Sequence, residues 1–146
     1  MDEIMVSVCM LAYNHERYIR KALDSVLNQK TNFKFEILIH DDASPDNTAN
    51  IIREYEKKYP DIVKPIYQKE NQFSKGVKVN AIYQYPRVKG KYIAICECDD
   101  YWTDEFKLQK QVDFLEEHLD IISVAHRNKI INENNETIGM SHEGIE

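Results

Sequence analysis

Tyr92-Ile93-Ala94-Ile95-Cys96-Glu97-Cys98-Asp99-Asp100-Tyr101-Trp102 opens as an apolar strand and ends in a burst of acid. With Asp104 just downstream, the run crowds Glu97, Asp99, Asp100 and Asp104 into eight positions. Two carboxylates about 4 Å apart repel by about 4 kcal/mol at intermediate dielectric. A fold tolerates this where water screens the charges or a cation sits among the oxygens. Open parallel sheets bind ligands at the carboxyl ends of their strands. A hard divalent metal holding a phosphate is therefore the sharper reading of the run. A solvated acidic turn capping the next helix is the alternative.

Outward from this strand, the chain alternates strand and helix. Ile4 to Ala12 is a continuous apolar, β-branched run, read as a strand buried on both faces. Ile19, Ala22, Leu23, Val26 and Leu27 then fall on one helical face. Phe35 to His40 reads as a second strand, and Thr48, Ile51, Ile52, Tyr55 and Tyr59 as a second helix stopped by Pro60. Ile62 to Tyr67 is a short third strand, followed by a weaker helical segment over 77–88 that Pro86 ends or kinks. Beyond the acidic run, Thr103 is the expected N-cap of a helix with Leu108, Val112, Leu115 and Leu119 as its buried stripe. Ile121 to His126 is expected as a fifth strand, and Lys129–Ile131 and Thr137–Ile138 as a hairpin through the turn at 132–135. Residues 139–146 are expected to be unanchored. The whole reads as one α/β domain over 1–146, a mostly parallel, Rossmann-like sheet with helices on both faces.

At 42% apolar and 30% charged, the 146 residues have an ordinary globular composition. The net charge of −6 argues against a nucleic-acid partner, since no basic excess neutralises phosphates. No stretch approaches the ~20 apolar residues of a membrane span, and Met1-Asp2-Glu3-Ile4 lacks a signal-peptide pattern. Cys9, Cys96 and Cys98 are an odd set in or beside strands, expected as buried thiols in a reducing cytoplasm.

Polar clusters follow the first, second and fourth strands, and a parallel sheet delivers all three to one edge. After the first comes Ala12-Tyr13-Asn14-His15-Glu16, whose tyrosine offers a face for stacking a nucleobase; a core-edge aromatic and a helix cap are the alternative. After the second comes Asp41-Asp42-Ala43-Ser44-Pro45-Asp46-Asn47-Thr48. Asp46 or Asn47 would cap the next helix. Asp41 and Asp42 precede the turn and can accept from an imide N–H or ribose hydroxyls. With four glycines and no G-x-G-x-x-G or P-loop pattern, the usual phosphate cradle is absent. A bound diphosphate would need a metal.

Taken in order, Val6-Ser7-Val8, Tyr13-Asn14, Tyr18-Ile19, Ala22 to Gln29, Asp41-Asp42-x-Ser44-x-Asp46-x-Thr48, Gly90 to Ala94 and Glu97-x-Asp99-Asp100-Tyr101-Trp102 resemble the N-terminal, donor-binding part of a family-two glycosyltransferase, from about Val6 to Asn132. The subgroup with E-x-D-D-Y-W is common among bacterial enzymes that build surface polysaccharides. The resemblance implies an A-type nucleotide-binding fold, Mg²⁺ or Mn²⁺, and inverting transfer from a nucleotide sugar, usually a UDP-sugar, to a saccharide or lipid-linked acceptor. The nucleotide-binding set it implies is Ala12, Tyr13, Asn14, Glu16, Asp41, Asp42 and Asp99; the metal set is Asp99, Asp100 and Glu97. Tyr13 would stack on the base and Asp42, with Asp41 beside it, would bind it. Which of Asp99 and Asp100 ligates directly stays open. A cytoplasmic location, at most peripheral to the inner face of the membrane, goes with such an enzyme.

The chain also departs from the family pattern. Leu11-Ala12 stands where proline-threonine is common, removing a hydroxyl near the base, and Glu97 stands where many relatives carry aspartate. No residue matches the family's general base, which takes the proton of the acceptor hydroxyl; it is expected beyond residue 146. A nucleotide-sugar-binding module without activity of its own is accordingly the alternative function. A receiver-type signalling domain fits worse, because it needs its acidic pair after the first strand. His126, at the end of the expected fifth strand, is a candidate ligand or base, and a structural role is its ordinary reading; His15, His40, His118 and His142 are scattered, with no ligand spacing.

Overall fold

The unbroken apolar run at the start forms β1 (Ile4–Ala12), the centre of the fold. Phe35 to His40 lies within β2 (Lys34–Asp41), and the third and fourth expected strands appear as β3 (Val63–Tyr67) and β4 (Tyr92–Ile95). All pairings are parallel, in the order β3-β2-β1-β4. The computed structural model describes residues 3–141. The chain divides into two compact units, Met1–Lys110 and Gln111–Glu146.

In the first unit, the consecutive residues Ile37, Leu38 and Ile39 are buried without regard to strand alternation, as are Val6, Val8 and Met10 with Cys9 between them, so both faces of the sheet are covered. Each such side chain contributes about 1.5–3 kcal/mol of burial. The helices α1 (Ile19–Leu27) and α2 (Thr48–Lys58) bury the stripes their spacing predicts, including Ile19, Leu23, Val26, Ile51 and Ile52. Steps from β1 to β2 and β2 to β3 run the same way, so right-handed crossovers place α1 and α2 on one face. The chain then returns past β1 to β4, and its connection covers the other face. There Gln84 donates its amide to Met10 O (3.1 Å) and Leu38 O (2.6 Å), while Arg87 donates to Lys64 O (2.8 Å) and to Gln84 Oε1.

That connection is not the single helix expected over 77–88. It forms a π-helical turn, Asn80–Gln84, and a 3₁₀ turn, Tyr85–Arg87. Pro86 has no N–H to give and crowds the turn before it, which favours such irregular turns over α-helix. The helix after the acidic run, α3 (Lys107–Glu117), starts later than Thr103. Asp104 rather than Thr103 organises its start, accepting Phe106 N–H at Oδ1 (2.9 Å) and Lys107 N–H at its carbonyl (3.1 Å). Leu119 lies past the helix end and is exposed.

In the second unit, β5 (Lys129–Ile131) and β6 (Thr137–Met140) form the expected antiparallel hairpin. The strand expected at 121–126 does not form. Its β-branched residues join no ladder, and Ile122 is 95% exposed. β-propensity expresses itself only where a pleated, half-buried partner surface exists. Gly139 and Met140, expected to be loose, pair with Ile130 and Lys129. Residues 142–146 of that expectation lie outside the described residues.

Candidate active site

The strand order reverses between β1 and β4, and the crevice beyond their carboxyl ends is where such sheets take ligands. Register aligns those ends: Ala12 sits opposite Asp41, Asp41 opposite Tyr67, and Cys9 opposite Ile95. A cleft of about 800 Å³ opens there, lined among others by Ala12, Tyr13, His40, Asp42, Lys78 and Glu97. Its size is that of a small-molecule site.

The acidic run owes its shape to its cysteines. Past β4, Cys96 and Cys98 continue the pairing with β1, donating to Cys9 O (3.1 Å) and Leu11 O (3.2 Å). Both thiols point inward and are buried, and alternation turns Glu97 and Asp99 outward. Burial pushes the Cys96 thiol up to about 12 and that of Cys98 well above the ordinary thiol value, so neither is a thiolate ligand. A turn closed by Asp100 N–H on Glu97 O (3.0 Å) folds the chain back. Carboxylate oxygens of Glu97, Asp99 and Asp100 thereby come within 4.8 Å of one another. Partial burial, with Asp99 beside it, holds the Asp100 carboxyl above its usual value, and His15 opposes the shift. No side-chain hydrogen bond supports these three carboxylates among the described residues. Three hard oxygen donors gathered this closely fit a divalent cation of the Mg²⁺ or Mn²⁺ kind.

Asp41 and Asp42 divide their labour. Asp41 takes the Ser44 hydroxyl at 2.5 Å and the Ser44 N–H at 3.3 Å, and so shapes the turn after β2. Asp42 is 5% exposed and lines the cleft. Its carboxylate accepts backbone N–H groups from Gln72 (2.7 Å) and Phe73 (3.0 Å). Each oxygen keeps a lone pair for a ligand. Tyr13 is 46% exposed on the same cleft with no ring partner among the described residues.

Asn14 and Glu16 serve the loop itself. Asn14 adopts a left-handed φ of 60°, which asparagine tolerates. Successive N–H groups of Asn14, His15 and Glu16 are received by Ser44 Oγ (3.0 Å), Thr48 Oγ1 (2.9 Å) and Asp46 Oδ2 (3.2 Å). Glu16 answers by accepting Asn47 N–H (3.2 Å). Sequence reasoning gave Ser25, Gln29, Ser44 and Thr48 no such work. Ser25 Oγ accepts Trp102 N–H (3.0 Å), and Gln29 bridges Asp104 O (2.8 Å) and Leu108 N–H (3.0 Å), stapling the acidic run to α1. Their signal was membership of the motif runs Ala22 to Gln29 and Asp41 to Thr48, which marked the positions without saying what they bond.

The family model "Glycosyl transferase family 2" matches residues 7–144. The chain belongs to that family. An uncharacterized glycosyltransferase of Nostoc sp. is 37% identical over 133 residues, which cover 91% of this chain and 39% of that protein. The putative teichuronic acid biosynthesis glycosyltransferase TuaG of Bacillus subtilis is 35% identical over 113 residues, 77% of this chain and 42% of TuaG. Among solved structures, S. aureus TarS 1–349 in complex with UDP-GlcNAc superposes with a TM-score of 0.67 at 28% identity, covering 80% of this chain and 32% of that one. The mannosyltransferase PcManGT from Pyrobaculum calidifontis, solved with GDP-Man and Mn²⁺, shares the fold at a TM-score of 0.64 and 24% identity, over 77% of this chain and 32% of its own. The fold is thus the A-type fold of family-two glycosyltransferases, and the chain spans about two fifths of the length of these curated relatives. No helix among the described residues is long and apolar enough to cross a membrane.

Proposed function

We propose that this chain binds a nucleotide sugar, of the UDP type, for inverting transfer of its sugar to a hydroxyl of a saccharide or lipid-linked acceptor in surface-polysaccharide synthesis. One observation carries the reading: Glu97 belongs both to the carboxylate trio and to the wall of the cleft that holds Tyr13 and Asp42. A nucleoside diphosphate has that dual character, a flat base at one end and a cation-hungry diphosphate at the other. Tyr13 offers the stacking face, and the remaining lone pairs of Asp42 accept from the base; Ala12 forms the adjacent wall. Asn14, Glu16 and Asp41 hold the loops that present these groups. Asp99, Asp100 and Glu97 would hold Mg²⁺ or Mn²⁺. When bound, that cation supplies Lewis-acid stabilisation of the departing diphosphate. TarS, solved with UDP and with UDP-GlcNAc, supports the donor class.

Calorimetric titration of the chain with UDP, with and without Mn²⁺, tests the site. Binding that strengthens with Mn²⁺ in the wild type and loses that dependence in Asp100→Ala is expected. Metal-indifferent or absent binding refutes the reading. Donor hydrolysis or transfer by the same preparation separates an enzyme from a binding module, a distinction that matters because so much of each relative lies outside the match.

A further inference from the structure

His15 reaches toward the carboxylate trio, and its placement is over-determined. Its backbone N–H is held by Thr48 Oγ1 (2.9 Å), and its carbonyl accepts N–H groups from both Tyr18 and Ile19 (2.9 Å each). The flanking N–H groups of Asn14 and Glu16 are fixed by the turn after β2. The ring is mostly covered, with a side-chain exposure of 22%, and its Nδ1 is buried with no hydrogen-bond partner among the described residues. An orphaned buried polar atom in a rigid loop calls for an explanation. The ring's other nitrogen supplies one: Nε2 stands 3.9 Å from Asp99 Oδ2.

We infer that His15 is a positioning residue for the cation site, its Nε2–H holding one oxygen of Asp99 so that the other faces the cation or ribose. The inference rests on the metal reading above. A bare Nδ1 lone pair is the cheaper group to leave unpaired, since a buried N–H without an acceptor costs the full desolvation of the donor. That choice puts the proton on Nε2, toward Asp99. At 3.9 Å the pair is not yet a hydrogen bond; a rotation of the Asp99 carboxylate or one bridging water closes it. Ligating carboxylates are commonly held by such outer partners, whose loss weakens metal affinity by about 10–100-fold. His15 thereby turns a flexible, half-exposed carboxylate into a pre-aimed one.

Mn²⁺ affinity in the presence of UDP, read from the free-Mn²⁺ electron paramagnetic resonance signal, tests this on the whole chain. His15→Leu is expected to bind Mn²⁺ about 10–100-fold more weakly, with an undiminished metal-free melting temperature. His15→Gln, which restores an N–H donor, is expected to recover most of the affinity. Wild-type affinity in His15→Leu, or equal loss in both variants, overturns the inference. Should His15→Leu not fold, ¹⁵N-resolved NMR of wild-type imidazoles decides. A protonated Nε2 on His15 supports the inference, and an unprotonated one overturns it. Failure of the wild type to bind Mn²⁺ at all would instead refute the metal reading, so the two failures are distinct.

Discussion

Asp42 Oδ2 accepts the backbone N–H of Phe73 at 3.0 Å, so the carboxylate at the floor of the cleft also holds its wall. Gln72 N–H on Oδ1 at 2.7 Å completes the clamp, and the Asn71 amide donates to the Asp42 carbonyl at 3.0 Å. Asp42→Ala leaves two backbone N–H groups without their acceptor. The expected cost is about 1–3 kcal/mol of folding stability, measured as a lower urea midpoint. Asp42→Asn keeps one oxygen and is expected to lose less stability while still weakening UDP. An Asp42→Ala chain as stable as wild type would show that the 71–73 loop is held elsewhere.

Asp100 should behave in the opposite sense. Its carboxyl sits above the usual range because burial, and then the neighbouring Asp99, disfavour its charge. A raised carboxyl in the folded state means that the folded chain takes up this proton before the unfolded one, so acidification relieves its repulsion. Asp100→Asn installs that relief at neutral pH. The metal-free melting temperature is expected to hold or rise, while Mn²⁺ affinity in the presence of UDP falls by about tenfold or more, at least 1.4 kcal/mol. A variant that loses stability and keeps the cation would contradict both halves.

Periodicity made the four parallel strands, α1 and α2 legible, because burial on both faces of a central strand and on one face of a helix leaves unmistakable patterns. The place of the candidate site was legible through convergence: residues ending β1, β2 and β4 had to meet once the sheet was parallel. What escaped reading depended on partners far away in sequence. Nothing local distinguishes Ile121–His126 from a strand, and only the absence of a ladder does. Likewise Ser25 and Gln29 look like ordinary helix positions until Trp102 and Leu108 arrive to use them. His15 has no ligand at a fixed spacing in the sequence; its relation to Asp99 spans two loops and exists only in the fold.

Two of the glycines separate steric need from conformational need. A Cβ on Gly90 would lie 2.5 Å from Ser7 N and 2.8 Å from Val6 C, both backbone atoms of β1. Gly90→Ala must push β1 and the start of β4 apart, and is expected to cost about 1–3 kcal/mol or more. Gly76 has φ 77° and nothing within 4 Å of an added Cβ. Gly76→Ala meets only the left-handed penalty, about 1–2 kcal/mol. Chemical denaturation of the two variants should rank Gly90→Ala as the more damaging; the reverse order would mean that the strands yield more readily than the 73–76 turn.

His40 gives the cleft a pH dependence of its own. It is fully buried at the end of β2, with Nε2 3.1 Å from Gln68 Nε2, its ring tilted against Tyr83, and Nδ1 without a hydrogen-bond partner among the described residues. Burial lowers its pKa below the ordinary histidine value; Asp42 and Asp41 pull upward, and Arg87 adds to the lowering, but burial prevails. At pH 8 the ring is neutral in both folded and unfolded chains and contributes no slope. As pH falls through about 6.5 the unfolded chain protonates first, so the unfolded state binds more protons and stability declines. The decline continues until the pH reaches the lower folded value, at up to about 1.4 kcal/mol per pH unit. Urea unfolding of the metal-free chain between pH 7.5 and 5.5 should show this loss, and His40→Gln, which cannot take up the proton, should flatten it. A slope identical in wild type and His40→Gln would place the titrating group elsewhere.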